Sequence, residues 1–343
     1  MTLSSLTAMA AAPLSYVLVG FTRRYLVQRG IVDVPSGRSS HSVPTPRGGG
    51  LSIVAVVIGG IVVAALNGWI PATSVSVLIG GGVAIAAIGW MDDRQGLSPI
   101  VRLTVHVSAA IWAVYWLGGF DMLRLGSTSI AMDWVSRVLS VLVITWSISA
   151  YNFMDGLDAL AGSEAVFVGL VGGAFALLMG HQDIAFLSFL IGAASLGFLL
   201  WNLPPAKVFL GDVGSGFLGY CFVVLALLSE RQRALPAVGW LILLGVFAFD
   251  STVTLLRRIV RGENWRTTHR ESAYQRAALR FGHHGPVTIV VLVADVVLAA
   301  LCWFGWKSPQ WWPAVVGVAT ALLALLYLAV ERYAPVVKTG AAS

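Results

Sequence analysis

Long apolar segments alternate with short polar segments along the whole chain. A helix that spans a bilayer needs about 20 mainly apolar residues. Apolar segments of about this length predict eleven helices, over about 3–22, 49–67, 75–91, 100–118, 134–151, 160–179, 184–202, 213–229, 235–257, 286–305 and 311–330. Several linkers are very short, so consecutive helices are expected to be antiparallel neighbours. The pattern predicts an all-α, polytopic membrane helix bundle with about eleven transmembrane helices and a single domain spanning 1–343.

The composition supports this fold class. Hydrophobic residues make up 57% of the chain and charged residues only 11%, whereas soluble proteins carry about 25% charged residues. The net charge is +6, but the basic residues lie in particular loops. Anionic membrane lipids or phosphate groups are therefore better expected partners than nucleic acid. The two cysteines lie within apolar segments and lack metal-ligand spacing, which predicts buried thiols.

The basic residues also predict the orientation of the bundle. Of the 22 Lys and Arg residues, 17 follow odd-numbered helices or lie in the C-terminal segment, and five follow even-numbered helices. Because cytoplasmic loops are rich in Lys and Arg, the odd-numbered loops and the C-terminus are expected in the cytoplasm and the N-terminus outside. Arg23 and Arg24 follow the first apolar segment instead of preceding it, which favours a retained helix over a signal peptide.

Five polar segments fall on the predicted cytoplasmic face. They are His41–Gly50, Asp92–Asp93, Asn152–Asp158, Lys207–Gly216 and His269–Arg276. The spacing between His41, Asp92, Asp155, Asp212 and His269 is 51, 63, 57 and 57 residues, about the length of two helices and their turns. Each segment therefore returns to the same face, and adjacent odd-numbered helices could surround one pocket with them.

The acids in these segments suggest phosphate and metal chemistry. Asp212 lies at a helix start among small residues, which suits a Mg²⁺ ligand that works with phosphate oxygens; helix capping is the alternative. Asp92 and Asp93 could bind Mg²⁺, accept a proton or align basic groups, or could form a solvated loop pair.

Two further segments carry candidate ligand-binding groups. Asn152 and Asp155 share one face of a helical turn and Gly156 permits close backbone approach, although capping by Asp155 or Asp158 is the simpler alternative. The loop around His269 is the most basic one, and its arginines suit phosphate. Asp250 and Asp295 lie within apolar segments. Asp250 could support the site, and a buried hydrogen bond is expected at Asp295.

Taken together, five motifs resemble those of the polyprenyl-phosphate N-acetylhexosamine-1-phosphate transferase family, which includes phospho-MurNAc-pentapeptide transferase. The motifs are PTPRGGG at Pro44–Gly50, MDD at Met91–Asp93, NFMDGLDALAG at Asn152–Gly162, PPAKVFLGDVGSGFLG at Pro204–Gly219 and FDSTVTLLRR at Phe249–Arg258. They occur in the family's order and cover nearly the whole chain. The third and fourth are highly specific, whereas a lone Asp-Asp pair would be weak.

The resemblance implies a reaction and a set of site residues. The family transfers a sugar 1-phosphate from a UDP-sugar to polyprenyl phosphate and releases UMP, at a Mg²⁺ site on the cytoplasmic face of the bacterial inner (plasma) membrane; Mn²⁺ is an alternative metal. By this resemblance Asp212 is the metal ligand, and the catalytic residues are Asp92, Asp93, Asp155 and His269. The implied substrate-binding residues are Thr45, Arg47, Asn152, Gly156, Leu157, Asp158, Lys207, Phe209, Arg270 and Arg276.

One motif departs from many relatives. The basic loop reads HRESAYQR, with Ser272 where related sequences that continue AYQR often have a second histidine. The loop also lacks the His-rich run of the peptidoglycan enzyme, which disfavours a MurNAc-pentapeptide substrate. It resembles the branch that starts O-antigen or other surface polysaccharides with UDP-N-acetyl sugars, often 6-deoxy ones. Direct attack by the lipid phosphate on the β-phosphate is the favoured mechanism, and a covalent aspartyl intermediate stays open, as does assembly into a homodimer.

Two other classes of protein compete with this interpretation. A transporter places ionisable groups near the bilayer midplane, often in paired repeats. Here most acids fall near one predicted surface, and Asp295 is the main exception. A non-catalytic scaffold gives no reason for five polar segments on one face. The sequence therefore favours the transferase.

Overall fold

The computed structural model describes residues 3–35, 43–120, 122–125, 128–131, 133–262 and 272–335. Most of these residues are helical, which confirms the all-α fold class. The helices are α1 (Leu3–Gln28), α2 (Leu51–Leu66), α3 (Ala72–Gln95), α4 (Pro99–Leu117), α5 (Asp133–Met154), α6 (Leu160–Leu178), α7 (Gln182–Asn202), α8 (Gly211–Arg231), α9 (Ala237–Leu243), α10 (Gly245–Val260), α11 (Ala273–Phe281), α12 (His284–Lys307) and α13 (Trp312–Tyr333). Four short strands, β1 (Val32–Asp33), β2 (Thr45–Pro46), β3 (Met122–Leu125) and β4 (Thr128–Ala131), form two antiparallel pairs.

The helices match a multi-pass membrane protein. Within the described ranges, nine helices are long and apolar enough to cross a membrane, and α9 with α10 passes the same test as a bent pair. α2 is equally apolar but has 16 residues. The helices α1, α4 and α13 bury little of their surface inside the protein, as expected for helices that face lipid. The nine spans, the bent pair and the shorter α2 correspond in order to the eleven predicted segments, although at most ten of them meet the test for crossing a membrane.

The ninth predicted helix, over 235–257, is not continuous. It breaks at Leu244 into α9 and α10, whose axes differ by 80°. α10 buries Asp250 and Thr254 on one side while it exposes Leu255 and Leu256 on another. Because the bend carries Asp250 to the start of α11, its carboxylate accepts hydrogen bonds from the backbone N–H groups of that helix.

The short helix α11 was not predicted, because the apolar pattern identifies only helices of spanning length. Its first two backbone N–H groups, at Ala273 and Tyr274, donate to Asp250 at 3.0 and 2.9 Å. A carboxylate at this position satisfies donors that have no partner within the helix. Asp250 therefore holds the start of α11 in place, which agrees with the prediction that it supports the site.

α8 is the central helix of the bundle, and its residues from Gly211 to Glu230 are buried. Its start packs very closely on α2 and α3. A Cβ atom added at Gly89 would lie 2.4 Å from the Asp212 carbonyl oxygen, and one added at Gly50 would lie 2.3 Å from Cα of Gly214. Only glycine permits such approach, so these positions set where Asp212 lies relative to α3.

Polar segments from distant parts of the chain meet at one end of the bundle. The backbone N–H of Phe209 donates to the Pro46 carbonyl at 2.8 Å, and that of Gly49 donates to the Phe209 carbonyl at 2.8 Å. The ends of α1, α3 and α5 and the starts of α2, α4 and α8 lie here. The prediction that these segments share one face is confirmed for their described parts; residues 41–42 and 269–271 lie outside the described residues.

Candidate active site

Asp212, in the first turn of α8, is the meeting point of two arginines. Its Oδ1 accepts a hydrogen bond from Nη2 of Arg47, and its Oδ2 accepts one from Nη1 of Arg102 at 3.1 Å. The Asp212 side chain is 10% exposed, whereas those of Arg47 and Arg102 are 39% and 33% exposed. Two guanidinium groups and a helix N-terminus stabilise a carboxylate charge at this position.

Asp93 links the end of α3 to the start of α8. Its carboxylate accepts hydrogen bonds from the backbone N–H groups of Asp212 and Val213 at 2.9 and 3.1 Å, and its Oδ1 lies 2.8 Å from Nε of Arg47. The Asp93 side chain is fully buried. These contacts indicate that Asp93 caps α8 and orients Arg47, and its predicted catalytic role stays a prediction.

Asp92 points to the other arginine. Its Oδ2 lies 2.8 Å from Nη1 of Arg102, and its Oδ1 accepts a hydrogen bond from the backbone N–H of Leu97 at 2.6 Å. The second contact closes the turn between α3 and α4. The adjacent acids therefore have different partners: Asp93 pairs with Arg47, and Asp92 pairs with Arg102.

These carboxylates stabilise the charged form of Arg47. Burial disfavours its charged form, but Asp212, Asp93 and Asp155 outweigh burial and raise the pKa of Arg47 above its ordinary value. Arg47 lies directly before the glycines at 48–50, whose backbone pairs with the segment before α8. The tight glycine segment thus holds Arg47 against the acids.

The segment after α5 supplies the opposite wall of the site. Nδ2 of Asn152 donates to Oγ of Ser215 in α8 at 2.9 Å. Asp158 accepts a hydrogen bond from the backbone N–H of Ala206 at 3.1 Å, and its carboxylate lies 3.5 Å from Nδ1 of His284. Asn152 and Asp158 therefore tie this segment to α8, to the 203–210 segment and to α12.

A cavity of about 380 Å³, here called the polar cavity, opens in front of these residues. It brings together eight of the predicted site residues, which are Arg47, Asn152, Asp155, Gly156, Leu157, Asp158, Phe209 and Asp212. It is also lined by Asp33, Asn202, Gln275 and His284. Carboxylates, an arginine and amides next to Phe209 suit a ligand that has charged, polar and planar parts.

Asp155 adds negative charge to the polar cavity. Burial raises the pKa of Asp155 well above its usual range. Arg47 opposes this rise, whereas the carboxylates of Asp212, Asp93 and Asp158 add to it. The crowding of acids means that the cavity gains stability from a proton or a cation.

A second cavity of about 220 Å³, here called the half-apolar cavity, lies on the other side of Asp212. Asp212 and Asn152 line both cavities. The half-apolar cavity is lined otherwise by Ile85, Ile88, Gly89, Pro99, Arg102, Leu103, His106, Ser149 and Gly216. Its cation, Arg102, thus stands next to aliphatic side chains of α3 and α4.

Three predicted substrate-binding residues make their described contacts elsewhere. Thr45 is buried, donates to the Val43 carbonyl at 2.9 Å and lines a neighbouring cavity. The ammonium of Lys207 lies over the ring of Trp201. Arg276 is buried and lies 2.9 Å from the Glu331 carboxylate, and its Nη1 donates to the Ala334 carbonyl. The predicted residues His269 and Arg270 lie outside the described residues.

Several residues that line the cavities were missed as site candidates in the sequence, among them Arg102, Asn202, Gln275 and His284. Arg102 follows Asp92 by ten residues and lies in the first turn of α4. A basic residue at a helix start so close in sequence to the acid pair could have been identified as a candidate. Asn202 ends an apolar helix, where its amide accepts from Ala159 N–H and donates to the Val208 carbonyl, both at 2.9 Å. Gln275 lies within the polar segment His269–Arg276 that the sequence identifies, but only tertiary contacts show that it, and His284, line the polar cavity.

The side chains were compared with the requirements of a divalent cation. The described ranges contain no group of three or more His, Cys, Asp or Glu side chains around one position. Mg²⁺, however, usually keeps water and phosphate oxygens among its ligands and needs only one or two carboxylates. Asp212 offers such oxygens in a cavity where acids outnumber arginines, so the residues fit Mg²⁺ together with a phosphate ligand.

The chain is similar to known proteins over most of its length. The family model described as glycosyl transferase family 4 matches residues 75–230, which include the segments of Asp92, Asn152 and Asp212. The chain is 31% identical over 285 residues to a Bacillus subtilis protein named probable undecaprenyl-phosphate N-acetylglucosaminyl 1-phosphate transferase, covering 82% of this chain and 79% of that protein.

Two other relatives carry related names. The chain is 29% identical to the decaprenyl-phosphate N-acetylglucosaminephosphotransferase of Mycobacterium tuberculosis, covering 88% of this chain and 80% of the relative. It is 30% identical to the phospho-N-acetylmuramoyl-pentapeptide-transferase of Bacillus licheniformis, covering 72% and 78%. With its helix bundle, its motifs and these similarities over most of its length, the chain belongs to glycosyl transferase family 4.

Proposed function

We propose that this chain transfers an N-acetylhexosamine 1-phosphate from a UDP-sugar to polyprenyl phosphate, giving polyprenyl-diphospho-sugar and UMP. The observation that carries the proposal is that Asp212 and Asn152 line two cavities of different character. A reaction between a soluble nucleotide-sugar and a lipid phosphate needs one polar and one partly apolar compartment that meet at the reacting phosphates. The names of the relatives support the same reaction class.

The polar cavity suits the UDP-sugar. Its volume of about 380 Å³ falls in the range of small-molecule sites. Arg47 offers a guanidinium to a diphosphate, Phe209 offers a planar face to a base, and Asn152 and Asn202 offer amides. Because phosphate oxygens pair well with guanidinium groups, the diphosphate belongs at Arg47 and Asp212.

The half-apolar cavity suits the head of a polyprenyl phosphate. Arg102 and His106 can pair with a phosphate, while Ile85, Ile88 and Leu103 contact the first prenyl units. Its wall α4 exposes large apolar side chains, including Ile100 and Ile111, to the surroundings of the bundle. The lipid tail can therefore leave the cavity toward the membrane.

The proposed step is a direct displacement. A phosphate oxygen of the acceptor attacks the β-phosphorus of the UDP-sugar, a new P–O bond forms, and the bond from that phosphorus to the bridging oxygen breaks. UMP leaves with the bridging oxygen. The lipid phosphate is already an anion near neutral pH, so no base has to remove a proton. Arg47 and Arg102, both on Asp212, position the two phosphates and offset their repulsion.

Mg²⁺ is part of the proposal, with Asp212 as its protein ligand and phosphate oxygens completing its shell. When bound, the ion would neutralise diphosphate charge and assist departure of UMP. Arg47 and Arg102 engage both Asp212 oxygens, so we expect at least one of them to release the carboxylate when the metal and substrate bind.

The location and the sugar are also proposals. The excess of Lys and Arg in the odd-numbered loops supports an active site on the cytoplasmic face of a bacterial inner membrane. UDP-N-acetylglucosamine is the first donor to test, since two relatives are named for N-acetylglucosamine transfer. The HRESAYQR loop supports testing 6-deoxy N-acetyl sugars, which would place the enzyme at the start of a surface polysaccharide.

The test is UMP release by the purified full chain in detergent. Polyprenyl phosphate and Mg²⁺ are supplied with a panel of UDP-sugars that includes N-acetylglucosamine, a 6-deoxy N-acetylhexosamine and MurNAc-pentapeptide donors. We expect UMP and a matching polyprenyl-diphospho-sugar with at least one N-acetylhexosamine donor. We also expect loss of UMP release with EDTA and recovery with Mg²⁺.

The outcomes separate the parts of the proposal. Absence of UMP with every donor would contradict the transferase function. Turnover that persists in EDTA would remove the metal from the mechanism and leave the transferase standing. Exclusive turnover of the MurNAc-pentapeptide donor would assign a different sugar to the same chemistry.

A further inference from the structure

The side chain of Gln275, on α11, is held in one orientation by Ser272. The Ser272 hydroxyl donates to Oε1 of Gln275 at 2.7 Å, and Ser272 is fully buried. Ser272 is the N-cap of α11 and Gln275 lies three residues later, which is the spacing of a capping box. With its oxygen engaged by the hydroxyl, the carboxamide presents Nε2 as its remaining polar atom.

That nitrogen lies at the polar cavity. Gln275 is half-buried and lines this cavity together with Ala278 and Leu279 of the same helix. A Cβ atom added at Gly156 would lie 3.1 Å from Nε2 of Gln275, so the amide faces the Asn152–Asp158 segment. Within α11, all of which is described, Gln275 is the polar side chain that lines the polar cavity.

The other contacts of α11 hold this donor in place. The Tyr274 hydroxyl donates to the Phe153 carbonyl at 2.8 Å, and the first backbone N–H groups of α11 donate to Asp250. Arg276 lies 2.9 Å from the Glu331 carboxylate on α13. A donor fixed on a helix that is bonded on several sides loses little freedom when a ligand binds, so its hydrogen bond contributes fully to affinity.

The chemistry of the amide selects its target. Phosphate oxygens are best matched by charged donors, and Arg47 already faces the acids where the diphosphate is proposed. A neutral amide donor suits a neutral acceptor, which in a nucleotide-sugar is a sugar hydroxyl or the N-acetyl carbonyl. A site that is built to hydrogen-bond such an oxygen rejects analogues that lack it, because a buried donor is then left unpaired.

We propose that Gln275 determines sugar specificity by donating a hydrogen bond to an oxygen of the sugar of the UDP-sugar, and that Ser272 is its positioning residue. The inference rests on the proposed function and deepens it.

The experiment compares UDP-sugars that differ by single oxygens, using Gln275→Ala, Gln275→Glu, Ser272→Ala and Ser272→Thr. In Gln275→Ala we expect the KM of the preferred UDP-sugar to rise about tenfold and its preference over the deoxy analogue to fall by a similar factor. In Gln275→Glu the KM should rise further, because a carboxylate supplies no hydrogen-bond donor to the sugar. Ser272→Ala should raise the KM about threefold. The single variant Ser272→Thr should keep the KM near the wild-type value, because threonine keeps the hydroxyl.

Control measurements separate specificity from folding. The KM of polyprenyl phosphate should stay within twofold in all four variants. Gln232→Ala is the matched control, since Gln232 is also half-buried but bonds Asp183 at the other end of α8. Calorimetric binding of the UDP-sugar without acceptor should show the same order of affinity loss, and melting temperatures report whether each variant is folded.

Two failures are distinguishable. If the wild type turns over a UDP-sugar while Gln275→Ala and Gln275→Glu keep both its KM and the preference over the deoxy analogue, the inference is overturned and the transferase function stands. If the wild type releases no UMP from any donor and binds none, the proposed function fails and the inference falls with it.

Discussion

The two cavities on either side of Asp212 differ in what surrounds the shared acid. The polar cavity collects side chains from several separate segments, with Arg47 as the arginine on Asp212. The half-apolar cavity is built by α3, α4, α5 and α8, and Arg102 is the arginine there. Each arginine also has its own second acid, which is Asp93 for Arg47 and Asp92 for Arg102.

This difference explains why the adjacent acids Asp92 and Asp93 have different partners. Asp92 and Asp93 follow each other at the end of a helix, so their side chains point in different directions. Asp93 contacts Arg47, the arginine of the polar cavity, and Asp92 contacts Arg102, the arginine of the half-apolar cavity. Asp212 contacts both arginines. The two adjacent acids therefore contact two different arginines instead of converging on one position.

The largest expected effect comes from the shared acid. Asp212→Asn keeps the shape of the side chain but removes the charge that both arginines contact, so we expect UMP release to fall about a thousandfold or more. Affinity for both substrates should weaken. Asp183→Asn, an acid at the other end of the bundle that bonds Gln232, should keep activity within twofold. Wild-type turnover in Asp212→Asn would contradict a central role for Asp212.

The next-largest effect is expected at the two arginines, where each substitution should raise the KM of a different substrate. We expect Arg47→Ala to raise the KM of the UDP-sugar, and Arg102→Ala to raise the KM of polyprenyl phosphate, each by about 30- to 100-fold. Each variant should leave the other KM within about fivefold. Steady-state kinetics with each substrate varied in turn measures the difference. If both variants raise the same KM, the division into a donor cavity and an acceptor cavity is wrong.

A smaller effect is expected in the wall of the polar cavity. A Cβ atom at Gly156 would lie 2.3 Å from the Tyr274 hydroxyl, so Gly156→Ala must displace that ring or the segment. We expect a rise of about tenfold in the KM of the UDP-sugar. Tyr274→Phe removes the clashing oxygen, and the double variant should recover part of the loss relative to Gly156→Ala alone. If the effects of the two substitutions on the KM are strictly additive, the clash with the Tyr274 hydroxyl is not the cause of the loss.

The smallest effect is expected at His106. It lines the half-apolar cavity with Arg102, where its ring can donate to the acceptor phosphate. His106→Ala should raise the KM of polyprenyl phosphate about threefold to fivefold, with no change for the UDP-sugar. His181→Ala serves as the control, since His181 precedes α7 at the far end of the bundle. A change in the UDP-sugar KM alone would remove His106 from the acceptor side.

Most helices and the clustering of acids follow from the sequence, because each depends on a strong one-dimensional signal. Apolar length identifies a membrane span, and the spacing of polar segments identifies the end of the bundle to which they return. The same signals miss α11 and the break at Leu244, since α11 is too short to span and the break lies inside a continuous apolar segment.

The roles of individual polar residues were harder to predict from the sequence than the helices. Asp250 supports the site as predicted and Asp158 lines the polar cavity as predicted, but the sequence does not show that their carboxylates accept hydrogen bonds from the backbone N–H groups of α11 and of Ala206. Asp295 is fully buried, but its carboxylate oxygens, like those of Glu164 on α6, have no hydrogen-bond partner among the described residues, so the hydrogen bond predicted there is not found.

By itself, the sequence determined the class of the protein, its helices and the identity of the acids at one end. These properties depend on residue type and on distances along the chain. Only the tertiary structure decided which arginine meets which acid, that Asp212 separates two cavities, and that Arg276 turns to Glu331 while Gln275 faces the polar cavity. Neighbouring helical positions point in different directions, and side-chain contacts fall off within a few ångströms, so a site is defined only when the helices are packed.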